Sequence, residues 1–325
     1  MHQIAIIGAG NLGSRHLQAI SQVSFKAAIS VIDPQMKSLK KAKILLDEMP
    51  KNNNIIDIKF LENITDLKDK IDLCIVSCTA NIRKDVITNL LNTCKVDNLI
   101  LEKTLFQKID DYYLIKEKLD HNNVNTWVNC VMRIWPVYIY IKQLIENEKI
   151  LQINISGSNW AMGTSLIHYI DLICYLSEDI NYKLYNLLLD KKVINSKRKG
   201  FIEFTGCLVG NLKNGTIFNI SSYKLGKTPV VIEIITESQN ILFLEVTGVL
   251  RITKKDDKWL GYVMEFEYPY QSGLTNLIAE NIILNKTCDL PTYLESMAIH
   301  LPMMDSLISH YELCIGRPVD HIPIT

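Results

Sequence analysis

Apolar residues fall into short continuous runs along the first third of the chain and into shorter, turn-separated runs along the rest. Residues 4–7, 27–32 and 72–77 are near-continuous apolar stretches of strand length, as parallel strands buried on both faces require. Residues 36–49, 84–93 and 109–121 between and beyond them have helical composition and spacing, while 56–61, 98–102 and 124–131 complete the strand series. Strand and helix in alternation predict a doubly wound parallel sheet. The pattern changes near 125–150. Helical periodicity over 135–147 gives way to a strand at 151–155 and a helix at 166–176. Strands then dominate, at 183–190, 201–212, 216–223, 230–237, 241–246 and 249–254, with turn signals such as Lys213-Asn214-Gly215 between them. Helices near 273–285 and 292–311 close the chain. The expectation is an α/β protein: a doubly wound N-terminal domain over 1–125, and a C-terminal α+β domain with an open, mostly antiparallel sheet over 126–325.

The first strand runs straight into Gly8-Ala9-Gly10-Asn11-Leu12-Gly13 and a helix, and the second strand ends on Asp33. Strand, glycine turn, helix, strand and acid in this order make a dinucleotide-binding unit, the Rossmann arrangement. Gly8 permits the tight turn, Gly10 lets the cofactor pyrophosphate approach the backbone, and Gly13 lets the helix pack close to the sheet. Asn11 and Leu12 belong to the helix N-terminus, whose amides and positive dipole end face the phosphates. Asp33 can accept the adenosine ribose hydroxyls. A 2′-phosphate would meet like charge there, so NAD is favoured, with NADP possible.

Composition narrows the remaining classes. The chain of 325 residues is long enough for two domains, and its formal net charge is zero, which gives no reason to expect nucleic acid or an anionic membrane as a partner. The basic clusters Lys37-Lys40-Lys41-Lys43 and Lys197-Arg198-Lys199 read as solvated faces or loop tips. The first strand leaves no room for a secretory signal, and no apolar stretch reaches the roughly 18–20 residues of a membrane span. The eight cysteines show no zinc spacing, so no metal is expected and they read as thiols of a reducing, cytoplasmic compartment.

Three further motifs can carry chemistry. Thr79-Ala80-Asn81 lies past the carboxyl end of a buried strand, where ligands of open α/β sheets sit; Thr79 and Asn81 can contact the nicotinamide ribose or start a helix. Glu102-Lys103 ends the next strand, and two adjacent charges there are costly unless paired or used. The Lys103 ammonium can stabilise a developing alkoxide. His168 and Asp171 lie at i and i+3 of a helix, so an imidazole acid/base could be oriented by a carboxylate. A core histidine is the bland alternative.

Together these motifs resemble the glucose–fructose oxidoreductase / inositol dehydrogenase / MocA (Gfo/Idh/MocA) family of NAD(P)-dependent oxidoreductases. The resemblance rests on Gly8 to Gly13 followed by Arg15-His16, on Thr79-Ala80-Asn81, Glu102-Lys103, Arg133 with Pro136, and His168-Tyr169-Ile170-Asp171. It implies a Rossmann domain, a C-terminal domain whose open sheet builds a homodimer or homotetramer, and catalytic roles for Lys103 and His168. Glu102 joins the cofactor-binding set, and Arg133 the substrate-binding set. The chain departs from the pattern in three places: Thr104 and Ala80 replace prolines, and Thr164 stands where the family often has an aspartate. Thr164 can hydrogen-bond but cannot exchange protons at neutral pH, so either Lys103 and His168 suffice, with support from Thr164, or the reaction differs. The stretch from Gly157 to Gly163 resembles a subgroup associated with bacterial surface-sugar biosynthesis, which implies sugar contacts from Asn159 and Trp160. The expectation is hydride transfer between NAD and a sugar or nucleotide-sugar. An epimerase or lyase that returns the hydride, and a non-catalytic dinucleotide sensor, are the alternatives.

Overall fold

The computed structural model describes residues 1–185 and 188–325 and divides into two compact units. The first unit comprises Met1–Phe106, Asp110–Asn129 and Pro269–Leu294. Its strands are β1 (His2–Ile7), β2 (Ala27–Ile32), β3 (Ile55–Leu61), β4 (Lys70–Ile71), β5 (Leu73–Val76), β6 (Lys95–Val96), β7 (Asn98–Leu101) and β8 (Asn125–Val128). Six of them form one parallel sheet in the order β3-β2-β1-β5-β7-β8. The continuous apolar runs do what two-sided burial demands: all four residues of β5 are buried, and Ile4 to Ile7 of β1 are at most 4% exposed. Helices α1 (Asn11–Ile20), α2 (Met36–Asp47), α3 (Ala80–Thr93) and α4 (Ile109–His121) make the connections.

Strand order reverses at β1, which pairs with β2 on one side and β5 on the other. The carboxyl ends beside such a switch point are where ligands sit. All six strands run the same way, so Gly8 after β1, Asp33 after β2, Thr79 after β5 and Lys103 after β7 belong to one end of the sheet.

The sequence reading starts α3 at Lys84; the helix begins a turn earlier, at Ala80, with Thr79 extended as its N-cap. Hydrophobic periodicity misses that turn because it holds the polar pair Asn81 and Arg83. The segment 269–294 returns to the first unit with the helix Thr275–Glu280 and adds to its core. Its ties are specific: the Ser24 amide donates to Glu280 Oε1 (2.7 Å), the Val128 amide to the Pro291 carbonyl (3.0 Å), and the Tyr293 hydroxyl to the Tyr112 carbonyl (2.8 Å).

The second unit comprises Gln107–Ile109, Cys130–Tyr268 and Glu295–Thr325. Helix α5 (Pro136–Leu144) leads to β9 (Ile150–Ser158) and α6 (Met162–Ser177). The strands that follow are β10 (Tyr182–Leu189), β11 (Ile194–Asn195), β12 (Ile202–Glu203), β13 (Gly206–Leu212), β14 (Ile217–Tyr223), β15 (Val231–Thr236), β16 (Gln239–Leu244), β17 (Val249–Lys254) and β18 (Gly261–Glu265). Eight strands form one sheet in the order β10-β13-β14-β9-β15-β16-β17-β18, antiparallel throughout except for β14 against β9. Alternation divides its faces. Ile153, Ile155, Phe218, Ile234 and Phe243 are at most 3% exposed, whereas Asn154, Asn219, Glu233 and Asn240 on the other face hydrogen-bond across strands. The long helix Tyr293–Ile315 belongs chiefly to this unit.

Two readings of this region change. The run 201–212 is not one strand: it breaks after Glu203, because Gly206 takes φ +109° and lets the chain leave the β11/β12 pair for the large sheet. Strand β18 goes unread in the sequence, since its exposed edge position imposes no alternation. Among the described residues, no helix is long and apolar enough to cross a membrane.

Candidate active site

In the first unit the glycine turn is built around close backbone approach. Gly8 takes φ +98°, and a Cβ at Gly13 would lie 1.8 Å from the Gly8 carbonyl oxygen. A Cβ at Gly10 would meet nothing within 4 Å, so the turn is open on the side where a pyrophosphate would approach. Gly10 is the N-cap of α1 and no side chain caps the helix, so its first-turn amides face outward as donors. Asn11 and Leu12 on that turn are exposed. Asp33 is only 8% exposed; its Oδ2 accepts from the Ala9 amide (2.8 Å) and its Oδ1 from the Gln35 amide (2.8 Å). It thus fixes the turn and has lone pairs left to accept further hydrogen bonds. The Ser77 hydroxyl, which sequence reasoning missed, donates to the Gly8 carbonyl (2.7 Å). A depression of about 400 Å³ lies next to Asp33, lined by Pro34, Phe60, Leu61, Glu62, Asn63 and Asp66. Its two carboxylates and lack of a cation suit an adenosine without a 2′-phosphate.

Lys103 is half-buried at the carboxyl end of β7. The Lys103–Thr104 peptide is cis. Arg83, 1% exposed, clamps the segment after it: its guanidinium donates to the carbonyls of Thr104, Leu105 (2.8 Å) and Cys78. Burial pulls the Arg83 pKa down. Followed directly by Lys84 and Asp85, it reads in the sequence as part of a charged helix face, which gave no signal for this role.

Glu102 departs from its expected cofactor contact. It is 3% exposed and accepts at Oε1 from His16 Nε2 (3.0 Å) and from the Asn129 amide, while His16 Nδ1 meets Thr275 Oγ1 at 2.9 Å. Burial pushes this carboxyl up, but the His16 ring, Lys103 and Asn129 outweigh it and hold it below the ordinary range. Glu102 therefore anchors the strand end that carries Lys103. Thr79 is half-buried at the start of α3, and Asn81 is exposed on its first turn.

In the second unit, Thr164 and His168 lie one turn apart on α6, both half-buried. Asp171 does not orient the imidazole. It is 1% exposed and accepts both Nε (2.8 Å) and Nη2 (2.8 Å) of Arg133. Burial pushes its carboxyl up to about 6 against the pull of that guanidinium. Arg133 in turn is 7% exposed, donates through Nη1 to Glu295 Oε1 (2.7 Å), and is committed to packing rather than to substrate. The i, i+3 spacing identified a shared helix, but a bidentate partner from 38 positions away took both carboxylate oxygens.

Asn159 is exposed in the left-handed region (φ 51°), and its side-chain amide donates to the Lys224 carbonyl (3.0 Å), so its donors are spent on its own loop. The Trp160 indole N–H donates to the Ser221 carbonyl (2.8 Å), which fixes the ring edge-on to Tyr169. Both residues and Thr164 line a cavity of about 500 Å³ contained in this unit, together with Ser196, Arg198 and Glu203. A fixed aromatic ring beside hydroxyls and a carboxylate can stack on and hydrogen-bond to a polyol. Glu203 was not singled out from sequence, because it sits near the start of what reads as one long strand, 201–212.

Residues 2–130 match the Gfo/Idh/MocA model, an oxidoreductase family with an NAD-binding Rossmann fold. No curated protein matches the chain. Among solved structures, an oxidoreductase from Agrobacterium radiobacter in complex with NAD+, L-tartaric acid and magnesium is similar at 16% identity and TM-score 0.73, covering 98% of each chain. The UDP-N-acetylglucosamine 3-dehydrogenase GnnA from Acidithiobacillus ferrooxidans is similar at 13% identity and TM-score 0.68, again covering 98% of each. The transcriptional regulator Gal80p from Kluyveromyces lactis is similar at 18% identity and TM-score 0.70, covering 98% of this chain and 93% of its own. At these identities the likeness is one of fold.

Proposed function

We propose that this chain, whose residues 2–130 match the Gfo/Idh/MocA family of NAD-binding oxidoreductases, oxidises or reduces a CH–OH carbon of a sugar or nucleotide-linked sugar, in bacterial surface-carbohydrate biosynthesis. When bound, NAD supplies the acceptor for the two electrons and hydrogen that leave the carbinol carbon as hydride. Gly8, Gly10 and Gly13 with the α1 amides would hold its pyrophosphate, Asp33 its ribose, and Thr79 and Asn81 the nicotinamide end. His168 takes the hydroxyl proton as the carbonyl forms and returns it in the reverse direction. The Lys103 ammonium would stabilise negative charge that develops on a substrate oxygen. Thr164 supports the substrate.

The observation that supports the sugar reading most directly is the cavity of the second unit, where Trp160 and Thr164 share a wall. The test is NADH formation from NAD+ with UDP-N-acetylglucosamine, UDP-glucose, myo-inositol and glucose. Turnover of at least one is expected. NAD binding without turnover of any would remove the oxidoreductase reading and favour a second one, a dinucleotide-responsive partner protein, which the likeness in fold to Gal80p and the presence of Thr164 also support.

The proposal extends to a cytoplasmic homodimer or homotetramer assembled through the second unit's sheet. Leu151, Ile217 and Val263, on β9, β14 and β18, are 42%, 49% and 60% exposed and offer apolar contacts there. Light scattering that finds a monomer at micromolar concentration would remove this part.

A further inference from the structure

Glu203 is a carboxylate that the proposed reaction does not yet use. It is 4% exposed, and its partners are two hydroxyls and a backbone amide rather than a cation. An unpaired buried carboxylate is expensive unless hydrogen bonds replace its water. Three donors converge on it. Oε1 accepts the Thr164 hydroxyl at 2.6 Å and the Ser196 hydroxyl at 3.1 Å, and Oε2 accepts the Thr164 backbone amide at 3.1 Å. That amide lies in the first turn of α6, where the helix dipole favours a negative charge. Room for the carboxylate comes from Gly163: a Cβ there would lie 2.9 Å from Oε2 and 2.9 Å from the Ile202 carbonyl. The same carboxylate lines the cavity that Trp160 and Thr164 share.

We infer that Glu203 is the positioning residue of this site: it takes the only hydrogen of the Thr164 hydroxyl, so that Thr164 Oγ1 can serve a ligand in the cavity solely as an acceptor. A hydroxyl has one O–H and two lone pairs, and an ionised carboxylate only accepts. With the hydrogen committed, Thr164 meets a group that donates, such as a sugar hydroxyl, and has nothing to give to a ketone or ester oxygen. Glu203 also brings to this end of α6 a carboxyl group that a threonine lacks, one turn before His168. The inference rests on the oxidoreductase reading and deepens it, by assigning a donor hydroxyl of the sugar to Thr164.

The test uses the full-length protein and the member of the four-compound panel turned over fastest by the wild type. Variants Glu203→Gln, Thr164→Val, the pair combined, and Thr164→Asp with Glu203→Gln are compared for kcat, KM, NAD Kd and Tm. Glu203→Gln and Thr164→Val should each lower kcat/KM by about 10- to 100-fold, the range for a hydrogen bond to a charged group, with NAD Kd unchanged. The pair should lose no more than either alone, since the residues act as one unit. Thr164→Asp with Glu203→Gln should recover activity above Glu203→Gln, because it moves the carboxylate next to the ligand. Thr164→Val keeps the backbone amide that Glu203 caps, so it reads the hydroxyl contact even where Glu203→Gln folds poorly. Wild-type kcat/KM in Thr164→Val, or single losses that multiply in the pair, would overturn the inference and leave the oxidoreductase reading standing. No turnover of any compound by the wild type would instead sink that reading, and the inference with it.

Discussion

Gly13 carries a requirement that no other residue type meets. Its absent Cβ is what lets the Gly8 carbonyl oxygen stand where a methyl would be, at 1.8 Å. Gly13→Ala should cost about 1–3 kcal/mol or more of stability by overpacking and should abolish NAD binding, both measurable by thermal shift with and without NAD. Retention of NAD affinity would contradict the packing described. Under the role proposed for Lys103, on the reacting oxygen, Lys103→Met should lower kcat by about 10²–10³-fold with NAD affinity nearly unchanged, by stopped-flow and by calorimetry respectively. Glu102 makes a prediction about pH. Its carboxyl is held below its ordinary value of 4.5. A depressed carboxyl stabilises the fold above the unfolded value, and that contribution is lost as pH falls through the lower folded value. The wild-type urea midpoint should therefore fall more steeply below about pH 4.5 than that of Glu102→Gln; parallel curves would show that the His16–Glu102 contact contributes nothing.

At the scale of elements, the triad Arg133–Asp171–Glu295 ties the turn before α5 to α6 and to the long helix that follows. Asp171→Asn leaves the buried Arg133 guanidinium with only the half-buried Glu295 as a charged partner, so it should cost about 3 kcal/mol in chemical denaturation while NAD affinity holds. The triad also marks the limit of what the chain discloses by itself. The glycine turn and Asp33 were legible because their spacing along the sequence is their geometry. The parallel strands were legible because two-sided burial forces continuous apolar runs. Partners across the fold were not: Asp171 read as a partner of His168, and Glu102 as a cofactor contact, because spacing reports neighbours on one helix or strand and not the side chain that arrives from another. Glu203 was hidden for a related reason. The break at Gly206 that sets it beside α6 lies inside a run that reads as one strand.

At the scale of the molecule, the first unit is not a continuous stretch of chain. The match to the family model spans residues 2–130, yet His16 is bonded to Thr275, Ser24 to Glu280 and Val128 to Pro291. A fragment ending at residue 130 should therefore be markedly less stable than the same unit in the full chain, with a lower denaturation midpoint and weaker NAD binding. An equal midpoint would show the return segment to be dispensable.

That return segment has a bearing on biosynthesis. Nascent chains emerge from the amino terminus, so the cofactor domain cannot close its core until residue 294 has cleared the ribosomal tunnel, after nearly all of the second unit has been made. Chains stalled shortly before Pro269 should present a protease-sensitive glycine turn, and those released past Leu294 a protected one.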